Sequence, residues 1–139
     1  MIQGSRVHAV PALDAEKARE ALLQKLSLET DPSDLHHDLK SGVPGLVVVD
    51  GRKAESYALG HIPGSRHLHY AAVTAEATKA WSKQDLHVCY CSGVGCNAST
   101  KLAFNLAALG FKVKELIGGI AEWEGEGYPV ALGMEPGQL

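Results

Sequence analysis

The sequence predicts an α/β domain, a small parallel sheet with helices on both of its faces. Three observations carry this. Gly45 to Asp50 (GLVVVD) is a near-continuous apolar run, the pattern of a strand covered on both sides. Leu86 to Cys91 (LHVCYC) and Phe111 to Ile117 (FKVKELI) are further β-prone runs. Segments with helical spacing separate the three, and strands alternating with helices imply parallel pairing through right-handed crossovers. Sites in such sheets lie beyond the carboxyl ends of the strands. Asp50 and Cys91 each end a run, so both are expected on that edge.

The elements follow in order. Residues 14–26 show helical spacing, with Asp14 as N-cap and Ala18, Leu22, Leu23 and Leu26 on one stripe expected to pack on the domain surface. A second helix is expected from Asp31-Pro32, with Pro in the first turn, to Ser41-Gly42, leaving His36 and His37 exposed. After Asp50-Gly51-Arg52 comes a polar helical turn over 53–59 and a break at Gly60-His61-Ile62-Pro63-Gly64. A short strand is expected over 67–70, a helix over 71–81, and a turn over 83–85. The helix after Cys91 stops at Gly110, Gly118-Gly119 breaks the last strand, a short helix covers 120–126, and the tail from Gly133 is expected to be loose. Residues 1–25 form an extension, 26–132 the domain and 133–139 the tail.

Composition narrows the partners. Of 139 residues 45% are hydrophobic and 21% charged, ordinary for a globular domain. A net charge of −3 without a Lys/Arg block argues against nucleic acid or an anionic membrane as the main partner. No apolar run reaches membrane-spanning length and the first residues lack a signal-peptide pattern, so the expected location is cytoplasmic. Cys89, Cys91 and Cys96 are odd in number and too close together for a disulfide framework, which fits reduced thiols. They form no C-x-x-C pair, so no metal site is expected.

The chemistry concentrates between Leu86 and Gly110. A strand delivers a thiol into a glycine-bearing loop at the start of a helix, where free N–H groups favour an anion. A thiolate is such an anion, and Cys91 is therefore the candidate nucleophile. Ser92, Gly93, Val94, Gly95, Cys96 and Asn97 form the loop, whose glycines are expected to let backbone N–H groups converge on the Cys91 sulfur. Cys89 is expected to be a buried small hydrophobe. Cys96 is either a resolving thiol able to close a Cys91–Cys96 disulfide or a small loop residue. Asp50 and Arg52 are expected to pair and pin the strand end, and His61 to bond backbone within its turn.

Asp50-Gly51-Arg52, the YALGHIPGS block over 57–65, Tyr90-Cys91 with its loop, and Gly118-Gly119-Ile120-Ala121-Glu122-Trp123 together resemble the rhodanese-like domain. The resemblance implies a three-layer sandwich of about five parallel strands between helices, and a match of Cys91 to the sulfur-carrying cysteine. It implies a sulfurtransferase that takes sulfur from a small donor or a protein persulfide and yields it to a thiophilic acceptor, with no cofactor. In the common loop of that family a basic residue or Thr stands where this chain has Cys96, and no Lys or Arg lies between Cys91 and Ala98. Thiosulfate, a dianion, is therefore expected to be held less well than a bulkier or less charged donor. The alternatives are a non-catalytic rhodanese-like binding module and, lower, a phosphatase or arsenate reductase, whose oxyanion would need an arginine in the loop.

Overall fold

The computed structural model describes residues 2–139. Five strands, β1 (Glu29–Thr30), β2 (Leu46–Asp50), β3 (Arg66–His67), β4 (Leu86–Tyr90) and β5 (Lys112–Leu116), form one sheet in the order β1-β5-β4-β2-β3. Every pairing is parallel. The helices are α1 (Ala15–Leu28), α2 (Pro32–Lys40), α3 (Ala54–Leu59), α4 (Ala98–Ala108) and α5 (Gly119–Gly125).

Strand alternation divides the core into two layers. Val48, Val88, Tyr90 and Leu116 face Leu35 of α2 and Ile120 and Trp123 of α5. Val49 and Cys89 face the other way, against Leu102, Ala103 and Leu106 of α4 and Phe111. The central strands β2 and β4 run in register, Leu46 beside Leu86 through Asp50 beside Tyr90, so their carboxyl ends finish side by side. Asp14 and Asp31 cap α1 and α2 by accepting from Lys17 N–H and Asp34 N–H.

Five local expectations need correction. The apolar stripe of α1 does not pack on the domain: the helix buries none of its residues, and Leu22, Leu23 and Leu26 are exposed. Residues 71–81 do not form one helix. A single 3-10 turn, Tyr70–Ala72, is followed by turns in which Thr74 Oγ1 accepts from Ala77 N–H and Thr78 Oγ1 donates to Thr74 O; such local side-chain bonds compete with helix propagation. The strand expected over 67–70 is only Arg66–His67. His36 is half-buried, stacked on Tyr128 with ring centroids 4.0 Å apart.

The tail is not loose. Gly133 N–H donates to Ala58 O, Gly64 N–H donates to Pro136 O at 2.7 Å, and His61 Nε2 faces the same Pro136 oxygen at 3.0 Å. Leu139 packs against the first core layer. The order comes from partners more than seventy residues away, which no local pattern announces.

Candidate thiol site

Cys91 is the first residue beyond β4, and its backbone is fixed from below by the start of α5. Cys91 O accepts from Ile120 N–H at 3.0 Å, and Ser92 O accepts from Ala121 N–H at 3.1 Å. This approach requires a glycine. Gly119 has φ +60, and a Cβ there would lie 2.3 Å from Cys91 O. Gly118 precedes it with φ +78. The Gly118-Gly119 pair thus ends β5 and at the same time seats the strand end that carries the thiol.

The two sulfurs of the loop have different surroundings. Cys91 Sγ is buried and donates to the carbonyl of Cys96 at 3.2 Å. Burial pushes the Cys91 thiol up from its ordinary pKa, and the hydroxyl and amide of Ser99 only partly offset this. Cys96 is half-exposed and accepts from Ala98 N–H at 3.5 Å, at the start of α4. Asn97 supplies no side-chain cap there, so the sulfur occupies the place of a cap oxygen. Burial works against the Cys96 thiolate, but Ala98 N–H, the Cys91 thiol and the hydroxyl and amide of Ser92 together bring its pKa down to about 7. Cys96 is therefore the more acidic thiol and Cys91 the protonated one at neutral pH.

This corrects the expected cradle. The loop presents a carbonyl to Cys91, not several N–H groups, and Cys96 N–H closes a turn on Gly93 O at 3.1 Å. Donors to the sulfurs come instead from Ser92 and from the first turn of α4. Neither Gly93 nor Gly95 has a positive φ. Cys89 is buried, with burial raising its thiol far above the ordinary range.

Cys91, Gly93, Val94 and Cys96 line one cleft of about 290 Å³ at the carboxyl edge of the sheet. Ser92 and Asn97 are not on its wall. The carboxylates of the lining were not foreseen. They are Glu115 of β5 and Glu29 of β1, which are register partners. Glu115 Oε1 accepts from Ser99 Oγ at 3.1 Å and from Thr100 Oγ1 at 2.5 Å. Alternation within FKVKELI could have shown which face Glu115 takes, but its meeting with Ser99 and Thr100 depends on α4 crossing over β5.

Asp50, Arg52 and His61 lie outside this cleft. The buried Asp50 carboxylate accepts from Arg52 Nε at 3.0 and 3.2 Å, from Nη2 at 2.7 Å and from Arg52 N–H at 2.9 Å. Arg52 Nη2 also donates to Gly60 O at 2.7 Å, tying the end of β2 to the next turn. His61 Nδ1 faces Tyr57 O at 2.8 Å, and its ring stacks on Tyr57. These contacts brace the edge beside the thiols. Among the described residues, no group of three His, Cys, Asp or Glu side chains is placed to hold a metal ion.

Comparison with known proteins agrees with this architecture. The Rhodanese-like domain family matches residues 31–126. The crystal structure of the BH2092 protein from Bacillus halodurans superposes with a TM-score of 0.83 at 42% identity, covering 86% of this chain and 87% of that one. Thiosulfate sulfurtransferase GlpE of Ectopseudomonas mendocina is 42% identical over 80 residues, 57% of this chain and 71% of the relative. An HTH-type transcriptional regulator of Mycobacterium tuberculosis is 32% identical over 92 residues; the match takes in 66% of this chain but only 40% of the regulator's length. With its parallel five-stranded sheet and a thiol beyond β4, the chain belongs to the rhodanese-like domain family. Some relatives are sulfurtransferases by name, and no helix among the described residues is long and apolar enough to cross a membrane.

Proposed function

We propose that the chain is a sulfurtransferase that carries sulfane sulfur as a persulfide on Cys91. The observation that carries this reading is the pair of thiols, Cys91 and Cys96, on the wall of one cleft between the end of β4 and the start of α4. The Cys91 thiolate attacks the sulfane sulfur of a small donor or protein persulfide. A sulfur–sulfur bond forms, and the donor's remaining group leaves as sulfite or a thiolate with the electron pair. A thiophilic acceptor then attacks the outer sulfur and returns Cys91 as the thiolate.

The resting arrangement makes the first step conditional. Cys91 donates its S–H to Cys96 O, so attack requires that proton to leave and the carbonyl to turn aside. Once loaded, the outer sulfur extends into the cleft. The free state of all three cysteines suits a reducing, cytoplasmic setting. Incubation with a sulfane-sulfur donor followed by intact mass and peptide mapping tests the proposal: one added sulfur on Cys91 supports it, and none on any cysteine refutes it.

Two observations favour a second reading. The protonated, buried Cys91 and the likeness to a regulator suit a binding or regulatory module that uses the same loop without turnover. A cyanide–thiosulfate assay beside an aryl phosphate assay separates transfer, binding alone and phosphatase chemistry; the last has no arginine on the cleft wall to clamp its oxyanion.

A further inference from the structure

The thiol cleft holds two carboxylates and no cationic side chain. Glu115 and Glu29 line the same cleft as Cys91 and Cys96. Glu115 is held at the start of α4: its Oε1 accepts from the Ser99 hydroxyl at 3.1 Å, and Ser99 lines the same cleft as Cys91.

The surrounding positive charges do not reach into the cleft. Lys25 Nζ meets Glu29 Oε1 at 3.4 Å, but from the α1 side, and Lys25 is not on the cleft wall. Lys114 lies on the opposite face of β5 and donates to Leu26 O at 3.0 Å. Lys101 stands over the Tyr70 ring, 5.1 Å from its centroid. The positive end of α4 faces the cleft, but its first N–H is already engaged by the Cys96 sulfur. A negative ligand would add its charge to those of Glu115, Glu29 and a thiolate. Register partners of like sign are unfavourable in a sheet, and a cation between them would relieve this.

We propose that the cleft selects small sulfur donors and acceptors bearing an ammonium group next to the transferred sulfur, aminoalkyl persulfides and thiols, and that Glu115 is the residue that reads that charge. This rests on the sulfur-transfer reading and names its substrate class. A cleft of about 290 Å³ accommodates an aminoalkyl group beside the sulfurs. Dianionic thiosulfate is the poor partner on the same ground. Glu29, half offset by Lys25, has the lesser effect.

Charged methanethiosulfonates test this without needing turnover. A thiolate attacks their sulfenyl sulfur, a mixed disulfide forms and methanesulfinate leaves. The full chain is treated with the trimethylammonium-ethyl and the sulfonato-ethyl reagents, each rate being normalised to that with free 2-mercaptoethanol. Mass spectrometry follows the modification of Cys96 and Cys91. The normalised cation-to-anion ratio is expected to be about tenfold or more at low salt. In Glu115→Gln it should fall about fivefold to tenfold, the effect of one carboxylate on two opposite unit charges at a water-like dielectric. It should also collapse toward one at about 1 M salt, where the Debye length is about 3 Å.

Glu115→Gln keeps an oxygen for Ser99 and Thr100, and thermal melting checks that it folds; Glu29→Gln, away from those hydroxyls, serves as the second variant and should show a smaller drop. A ratio at or below one in the native chain, or one unchanged by Glu115→Gln in a folded protein, overturns the proposal. Because the labelling does not depend on persulfide formation, absence of an added sulfur in the mass experiment would refute the transfer reading while leaving the charge measurement to decide this one.

Discussion

The Cys91 thiol donates to the carbonyl of Cys96 at 3.2 Å, so the residue just beyond β4 and the residue two positions before α4 share one proton-bearing contact. Cys96 is pulled to about 7 by helix-start and Ser92 donors, while burial holds the proton on Cys91. Alkylation with iodoacetamide should therefore label Cys96 first, its rate rising as pH passes through about 7. Cys91 should follow only at higher pH, and Cys89 should stay unlabelled in the folded chain. Peptide-resolved mass spectrometry across pH measures this; Cys91 labelling ahead of Cys96 at pH 7 would reverse the assignment.

Sulfur loading should divide the two thiols differently. Cys91→Ser is expected to abolish the added sulfur, whereas Cys96→Ser should keep single-turnover loading largely intact. Peroxide treatment should give an intramolecular disulfide in the native chain and none in Cys96→Ser. Intact mass before and after reduction reads both results. If Cys96→Ser is the inactive variant, the carrier is Cys96.

Asp50 should matter for the fold and not for the chemistry. Its carboxylate is buried and held by four contacts from Arg52, so Asp50→Asn leaves a charged guanidinium short of its partner. A loss of about 3 kcal/mol is expected in denaturant titration, as for other broken buried pairs. Sulfur loading of the remaining folded protein should persist. An activity loss equal to that of Cys91→Ser with stability unchanged would make Asp50 a direct participant.

Gly119→Ala should damage the site from underneath. The new Cβ would meet Cys91 O at 2.3 Å in a backbone conformation with φ +60. The strand end must then shift or α5 must unseat, with destabilisation on the order of 1–3 kcal/mol. Gly95→Ala, which meets nothing within 4 Å, serves as the contrasting substitution. Equal melting temperatures for the two would contradict the close approach.

His87 gives the fold an acid-sensitive point. It is fully buried between Trp81 and Phe111, and neither ring nitrogen finds a hydrogen-bond partner. Burial, helped by the nearby Arg66 charge, lowers its pKa in the folded state. The unfolded chain then binds the proton more readily, so this contribution to stability is complete above about pH 6.5 and is lost as pH falls below it. Urea titrations between pH 7.5 and 5 should show the decline, and His87→Phe should flatten it. A pH profile unchanged by that substitution would place the acid sensitivity elsewhere.

The strands that carry the site were legible because their chemistry is local. GLVVVD and LHVCYC are apolar on both faces, and a parallel sheet flanked by helices is what such runs build. The thiol loop followed from a cysteine at a strand end with a helix behind it. What escaped was set by contacts across the chain. β1 is two residues long, too short for a period, and gains its identity by pairing with β5. Glu115 joins the thiol cleft only because the start of α4 lies over β5. The stripe on α1 has helical spacing but no surface to cover it. The cradle misled because glycine permits a conformation without requiring it, and here the carbonyl of Cys96 turns inward.

Pro136 carries more than its place near the C-terminus suggests. One carbonyl takes both the Gly64 N–H and His61 Nε2, and His61 lies wholly inside the protein. Clipping the chain just ahead of Pro136 would remove no residue of the thiol cleft, and of the core-packing side chains only Leu139. It would, however, leave an interior imidazole nitrogen without its partner, costing about 1–3 kcal/mol, while the exposed Gly64 amide could turn to water. The same turn is braced by Arg52 through Gly60 O, beside the end of β2. A protease nick or a bulky fusion at the last residues would thus be felt at the rim of the sheet. The chain's end behaves as a clasp, and trimming the protein to the span matched by its family would open it.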